Sequence, residues 1–333
     1  MLQAVRPSLP VCQLIATGGT IAMRKDPSSG AAVPALSGED LIAAVPGLEG
    51  LAAVELLNFS NVPSDYMDPT RWVALGRVVE RELQRPGIAG AVISHGTDTL
   101  EEAAWFLDQT LETDKPAVIV GAQRNASEPD FDGPRNLEAG IRTCIASAAR
   151  GRGVLVVMND SIHSARHVTK SHTSAVQAFE SGEAGIEGLV EGGQVHFYRP
   201  AANRKPIPLR SELLPRVDIV PMYAGADGSH VQSAVQSGAK GVIIEALGLG
   251  NVNMDMYAAI VEAIRAQVVV VIASRCGRGR VRPAYGFEGG GHSLHEAGAL
   301  FAGDLSARKA RISTMLALQA AMAPAEMQAH FNS

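Results

Sequence analysis

Residues 88–111 read Ile-Ala-Gly-Ala-Val-Ile-Ser-His-Gly-Thr-Asp-Thr-Leu-Glu-Glu-Ala-Ala-Trp-Phe-Leu-Asp-Gln-Thr-Leu. The first seven are small or β-branched and do not alternate with polar residues, which is the mark of a strand buried on both faces. Five polar residues follow, and then an amphipathic stretch, 100–111, with helical spacing. Thr99 and Glu102 stand in the positions of a capping box at the helix start. The segment therefore predicts strand, turn and helix in that order. Similar apolar runs recur at 11–16, 54–59, 117–121 and 154–158, then at 217–222, 242–246 and 268–274. Helix-like stretches lie between them at 69–83, 136–149 and 254–266. This alternation predicts an α/β fold with right-handed crossovers. Gly192-Gly193, between two short apolar runs, predicts a hairpin at an antiparallel edge.

Residues 199–216 contain four prolines and little periodicity, and three strand–helix units follow them. We read this stretch as a linker. It divides a larger N-terminal domain, residues 1–198, with a mostly parallel sheet, from a smaller C-terminal α/β domain, residues 217–333. The Ala-rich tail 315–329 reads as a terminal helix interrupted at Pro324.

Of the 333 residues, 46% are hydrophobic and 19% charged, enough for a substantial core, and the formal net charge is −5. Mild acidity argues against nucleic acid or an anionic membrane as partner. The crowding of Arg275, Arg278, Arg280 and Arg282 lacks the interleaved aromatics of a nucleic-acid surface. Three cysteines, Cys12, Cys144 and Cys276, are too few for a disulfide scaffold and fit a reducing compartment. No apolar run reaches the roughly 20 residues needed to span a bilayer. Residues 1–10 lack the basic head and apolar run of a secretory signal. The expectation is a soluble, cytoplasmic protein.

In an open parallel sheet, ligands collect beyond the carboxyl ends of the strands. The turns there are thus the places to look for chemistry. Thr17-Gly18-Gly19-Thr20 follows the first run. Its glycines let the main chain approach a ligand, and its last threonine offers a hydroxyl. It reads as a nucleophile beside an oxyanion hole, as a phosphate cradle, or as a plain tight turn. It carries neither the Walker nor the dinucleotide fingerprint. In the second turn, Thr97 and Asp98 together suit positioning a water or holding an ammonium, or read as ordinary polar residues at a helix end. The capping box accounts for their neighbours but not for them. Lys170 is either a desolvated base near this pair or a solvated surface lysine. His163, His167 and His172 cluster without an acidic ligand or an H-E-x-x-H pattern, so neither a metal nor any other cofactor is expected. Trp72 and Trp105 read as core, and Gly289-Gly290-Gly291 as a flexible turn.

Taken together, these motifs resemble the bacterial-type L-asparaginase/glutaminase family. The likeness is carried by residues 16–22 (Ala-Thr-Gly-Gly-Thr-Ile-Ala) and 95–102 (His-Gly-Thr-Asp-Thr-Leu-Glu-Glu). It extends through 120–124, 132–137, 153–160 and 168–170, with weaker echoes at 248–253. The resemblance implies hydrolysis of the side-chain amide of asparagine through an acyl-enzyme, with glutaminase or dual activity as the alternative. A catalytically weak amino-acid-binding homologue is the alternative of another class. Carried over position by position, Thr20 is implied as nucleophile, and Thr97, Asp98 and Lys170 as a second polar triad. Ser64 is implied for the substrate carboxylate, Asp65 and Asp98 for its ammonium, and the N–H groups of Gly19 and Thr97 for the oxyanion. The family assembles as homotetramers, dimers of dimers, with each active site shared between subunits. Asn253, Glu288 and Tyr285 are therefore implied to complete a partner's site. Two departures stand out. Residues 23–34 contain no tyrosine, where many members carry one near the nucleophile. Asp65 stands where relatives often have Gln or Glu, a shortening that favours the smaller amide. The Gly, Ser and Pro content of 23–34 suits a lid.

Overall fold

The computed structural model describes residues 9–332, and the first eight, read above for a secretory signal, lie outside that range. The chain divides into two compact units, the first ending at Pro206 and the second beginning at Ile207.

In the first unit, β1 (Val11–Gly18) leads into a short 3-10 turn (Thr20–Ala22) and an antiparallel ribbon of β2 (Met23–Lys25) and β3 (Ala32–Pro34). There follow α1 (Gly38–Ala43), β4 (Ala53–Val62), α2 (Pro69–Gln84), β5 (Ile88–Ser94), α3 (Leu100–Thr110), β6 (Ala117–Val120), α4 (Gly133–Ile145) and β7 (Val154–Met158). The unit closes with β8 (Ser161–Ser164), β9 (Thr169–Lys170), β10 (Phe179–Glu180), β11 (Gly188–Glu191) and β12 (Gln194–Phe197). Eight of these strands form one sheet in the order β12-β11-β8-β7-β6-β5-β1-β4. The pairs from β4 to β7 are parallel, and those from β7 to β12 are antiparallel. The expected mostly parallel sheet with an antiparallel edge is what the structure shows.

The strands carry continuous apolar runs because helices cover both faces. Cys12, Leu14, Val92, Val118, Val120 and Leu155 share one core cluster with Leu137 and Ile141 of α4. Ile15, Ala91, Ile93 and Ile119 are equally buried, and α2 and α3 are joined through Trp72 and Phe106, whose rings lie 5.9 Å apart. Gly192 (φ 57°) and Gly193 (φ 75°) supply the two left-handed residues of the β11–β12 turn. In the ribbon turn, the Asp26 carboxylate accepts from the N–H groups of Ser28 and Ser29. The Ser28 hydroxyl foremost, with these two N–H groups, lowers its pKa to about 2. The stretch read as a lid is thus a structured ribbon with an exposed turn.

Two helix boundaries differ from expectation. α4 starts at Gly133, three residues early, because Pro134 is accommodated in the first turn where no N–H is needed. It stops at Ile145, and 147–149 form a separate 3-10 turn. The capping box at the start of α3 does not form. Thr99 makes no side-chain capping bond; its hydroxyl donates instead to Ser64 O at 2.8 Å.

The second unit holds β13 (Val217–Pro221), α5 (Ser229–Gln236), β14 (Gly241–Ala246), α6 (Met254–Arg265), β15 (Val269–Ser274), α7 (Gly291–Glu296), β16 (Leu300–Phe301), α8 (Ala307–Gln319) and α9 (Pro324–Phe331). Its four strands are parallel and lie in sequence order. Val242, Ile244, Val270 and Ile272 pack with Val231, Met256, Ile260 and Leu294. The tail departs from the reading of one interrupted helix. α8 begins at Ala307, after the Ser306 cap, and Pro324 opens α9 rather than breaking a helix.

The buried thiols of Cys12 and Cys144 lie 3.4 Å apart, and Cys276 is exposed. Among the described residues no helix is long and apolar enough to cross a membrane.

Candidate active site

Strand order reverses at β1: the chain lays β4 on one side of it and β5, β6 and β7 on the other. A crevice opens at such a switch point beyond the carboxyl ends of the strands. The turns after β1 and β5, which hold Thr20 and Thr97, flank it.

Main chain meets main chain here. Gly18 and Gly19 have φ of 106° and 86°, a region that L side chains rarely enter. Space excludes side chains as well: a Cβ on Gly19 would lie 2.2 Å from Gly96 Cα and 2.3 Å from Gly96 N. A Cβ on Gly96 would lie 2.8 Å from both Cβ and Oγ of Ser64. Gly96 is therefore packed against both Gly19 and Ser64, with Ser64 only 4% exposed on the 3-10 turn after β4. Hydroxyls buttress this junction. Thr17 Oγ1 donates to Ser94 O at 2.7 Å, Ser60 Oγ to Thr17 O at 2.8 Å, and Thr99 Oγ1 to Ser64 O. Gly96→Ala is expected to lower the unfolding free energy by about 1–3 kcal/mol, because the new methyl meets backbone and a short side chain that cannot yield. Urea denaturation of the variant measures this.

Thr20, half-buried, opens the 3-10 turn, and its hydroxyl has no hydrogen-bond partner among the described residues. Gly19 N–H donates to Val62 O at 3.1 Å. This corrects the expectation that Gly19 offers its N–H to an oxyanion: its positive φ turns that group back toward β4. The N–H of Thr97 has no partner among the described residues.

The structure brings Thr97, Asp98 and Lys170 together. Lys170 Nζ lies 2.9 Å from Thr97 Oγ1 and 2.6 Å from Asp98 Oδ1. A hydroxyl oxygen accepts two bonds and donates one. With Lys170 donating to it, Thr97 keeps its own proton free to give elsewhere. The Lys170 side chain is 14% exposed and that of Asp98 62%, so the ammonium is sheltered while its counter-ion faces solvent. β9 is two residues long and, among the described residues, pairs with β10 alone, a slender support. Glu101 adds another, its carboxylate accepting the Lys170 N–H at 2.8 Å.

Asp65 is exposed beside Ser64. In the second unit, the Asn253 side chain caps α6: Oδ1 accepts from Met256 N at 2.9 Å and Nδ2 donates to Ala226 O at 2.6 Å. Glu288 is exposed next to Tyr285 and Phe287, whose rings lie 5.9 Å apart. The three histidines do not converge: His163 bonds Ser181, His167 bonds Ser164, and His172 accepts from the N–H groups of Ser174 and Ala175.

Several contributors escaped the sequence reading. Glu101 stands in the first turn of α3, where the sequence suggests only helix-start chemistry, and its carboxylate instead holds the Lys170 main chain. In sequence His95 is one residue of a polar turn; in the structure it is fully buried with Nδ1 2.8 Å from Gly96 O. Asp132 accepts from the N–H groups of Gln123 and Arg124, and Asn136 bridges Gly121 O and Asn159 N. Together they tie down the turns after β6 and β7. A cavity of about 180 Å³ is lined by Ala16, Gly18, Ala22, Leu41, Asn58 and Ser94 among others. Neither Thr20 nor Thr97 lines it.

Residues 12–203 match the family described as "Asparaginase, N-terminal", and residues 216–331 match "Glutaminase/Asparaginase C-terminal domain". The chain is 34% identical over 305 residues to an L-asparaginase of Bacillus licheniformis, covering 92% of this chain and 94% of that one. It is 34% identical over 330 residues to a probable periplasmic L-asparaginase of Haemophilus influenzae, covering 97% and 93%. The crystal structure of a probable cytoplasmic L-asparaginase from Campylobacter jejuni superposes with a TM-score of 0.88 at 32% identity, covering 97% of this chain and 99% of that one.

Proposed function

Since the chain belongs to the L-asparaginase/glutaminase family, we propose that it hydrolyses the side-chain amide of L-asparagine, giving L-aspartate and ammonia through an acyl-enzyme on Thr20. The observation that carries the reading is the Lys170 ammonium shared between Thr97 and Asp98 beside the Gly19–Gly96 contact.

Thr20 Oγ attacks the amide carbon, and the oxyanion that forms meets the unpartnered N–H of Thr97. The hydroxyl proton passes to the amide nitrogen, the C–N bond breaks, and ammonia leaves. Thr97, steered by Lys170, then aligns a water that attacks the ester. Aspartate departs and Thr20 regains its proton. Ser64 receives the substrate carboxylate, and Asp65 with Asp98 its ammonium. The reaction calls for no metal or cofactor.

Residues 1–198 form the catalytic domain in this reading, 199–216 the linker and 217–333 the second domain. The functional assembly is a homotetramer, a dimer of dimers, in which a partner's Glu288 and Asn253 border the site. The exposed Met254, Tyr285 and Phe287 near those two residues support such an interface. The capping bonds of Asn253 hold it at a fixed place on the surface rather than leaving it mobile. The sparse cysteines support a cytoplasmic location.

Ammonia release from L-asparagine and L-glutamine, measured side by side, tests the reading. Turnover of asparagine at least ~10-fold above glutamine is expected, a preference within reach of one methylene in a fitted pocket. A faster rate on glutamine would reassign the chain as a glutaminase. No turnover, with aspartate still bound, would make it a binding protein.

A further inference from the structure

The turn after β5 holds a buried imidazole that the mechanism above does not use. His95 is 0% exposed. Its main chain is fixed between strands: the N–H donates to Val120 O at 2.8 Å, and a Cβ on Gly121 would lie 2.8 Å from His95 O. The ring reaches forward along the chain, with Nδ1 2.8 Å from Gly96 O. A carbonyl oxygen only accepts, so Nδ1 carries the hydrogen. Burial pushes the imidazole below the usual histidine range, so the ring is neutral and Nε2 is bare. Nε2 finds no hydrogen-bond partner among the described residues. An apolar side chain would fill this space without leaving a buried nitrogen unpaired, so packing alone does not account for histidine here.

The acceptor explains it. The carbonyl of Gly96 and the N–H of Thr97 belong to one peptide unit, and in a trans peptide they point in opposite directions. Holding the oxygen therefore aims the N–H. Donation to the oxygen also polarises the unit and makes that N–H a stronger donor. Gly96 has no side chain to restrain its backbone, so the orientation of this peptide needs an outside anchor.

We propose that His95 is a positioning residue: by donating from Nδ1 to the Gly96 carbonyl, it orients and polarises the peptide whose N–H, at Thr97, binds the oxyanion of the tetrahedral intermediate. The role rests on the amidohydrolase reading, and the tests separate the two. Asparagine turnover by the unaltered protein is measured first, and its failure would remove that reading. The tautomer is then read from ¹⁵N shifts of the histidine-labelled protein, which need no activity. Hydrogen on Nδ1 of His95 is expected, and hydrogen on Nε2 overturns the proposal.

Three variants complete the test. In His95→Asn the amide nitrogen stands where Nδ1 stood, whereas in His95→Gln it is one bond further out, and His95→Leu has no donor. The Gln and Leu variants are expected to lose roughly 10–100-fold in kcat, somewhat less than deletion of an oxyanion donor outright. Their KM and their affinity for L-aspartate should stay within about threefold, because the ground state presents no oxyanion. His95→Asn should retain kcat within about threefold, since it keeps the donor to Gly96 O. An Asn variant no better than Gln, or a loss carried by KM, overturns the role. Should His95→Leu fail to fold, the Asn and Gln pair decides.

Discussion

Replacing Thr20 by alanine is expected to lower asparagine turnover by roughly 10⁴-fold or more, the scale on which removing a covalent nucleophile acts. Alanine has no oxygen to acylate. The residual rate would come from the remaining oxyanion donor and from substrate binding, which the mutation leaves in place. Thr20 is half-buried at the start of a 3-10 turn whose hydrogen bonds are main-chain ones, so loss of its hydroxyl leaves the local fold intact. L-aspartate should therefore still bind, and thermal unfolding should move little. The acyl-enzyme gives a second readout: substrate mixed with the unaltered protein and quenched in acid should leave one aspartyl group on the peptide containing residue 20. Thr20→Ala with turnover within about tenfold of the unaltered protein would put the nucleophile elsewhere, since that loss is orders of magnitude smaller than a nucleophile's removal.

Lys170→Met is expected to cost about 10²–10⁴-fold in kcat, the range of a positioned proton-transfer group. Methionine nearly matches the length of lysine but donates nothing, so Thr97 Oγ1 loses the bond that frees its own proton for use. The main chain at 170 stays anchored by Glu101 and by the pairing with Phe179, so the side-chain chemistry alone is removed. Stability should change little, because Asp98 is 62% exposed and water solvates it once its partner is gone. A melting temperature close to that of the unaltered protein together with a collapsed kcat is the expected pair of results. A fall in melting temperature with kcat preserved would make the lysine a structural tie.

Much of this was legible in the sequence. The strand at 88–94 matches its predicted limits because both faces are buried and the apolar run ends where the polar turn begins. The glycines at 192 and 193 announced their hairpin because few other residues accept two left-handed positions in succession. Thr97, Asp98 and Lys170 stand out together through the likeness of their two motifs to the family, since each taken alone has an ordinary structural reading, and the structure brings the three within hydrogen-bond distance. What escaped reading was set by distant partners. The Thr99 hydroxyl bonds a carbonyl 35 residues away in preference to the cap that its own helix offers. Gly19 marks an approach of main chain to a ligand in sequence terms, but the group that it lets in is Gly96. Its N–H is spent on Val62, a register detail at the irregular end of the β1–β4 pair. His95 and Glu101 look like ordinary turn and helix residues until the fold shows which carbonyl and which amide they hold.

The contact of Gly19 with Gly96 has a consequence for how such a protein can diversify. The gap between the two threonine-bearing turns equals the thickness of two peptide chains pressed together, and a side chain on either glycine would push against the other chain. Substitutions near these turns are thereby expected at exposed positions such as Asp65, Arg24 and Lys25, where a new side chain meets solvent and not main chain.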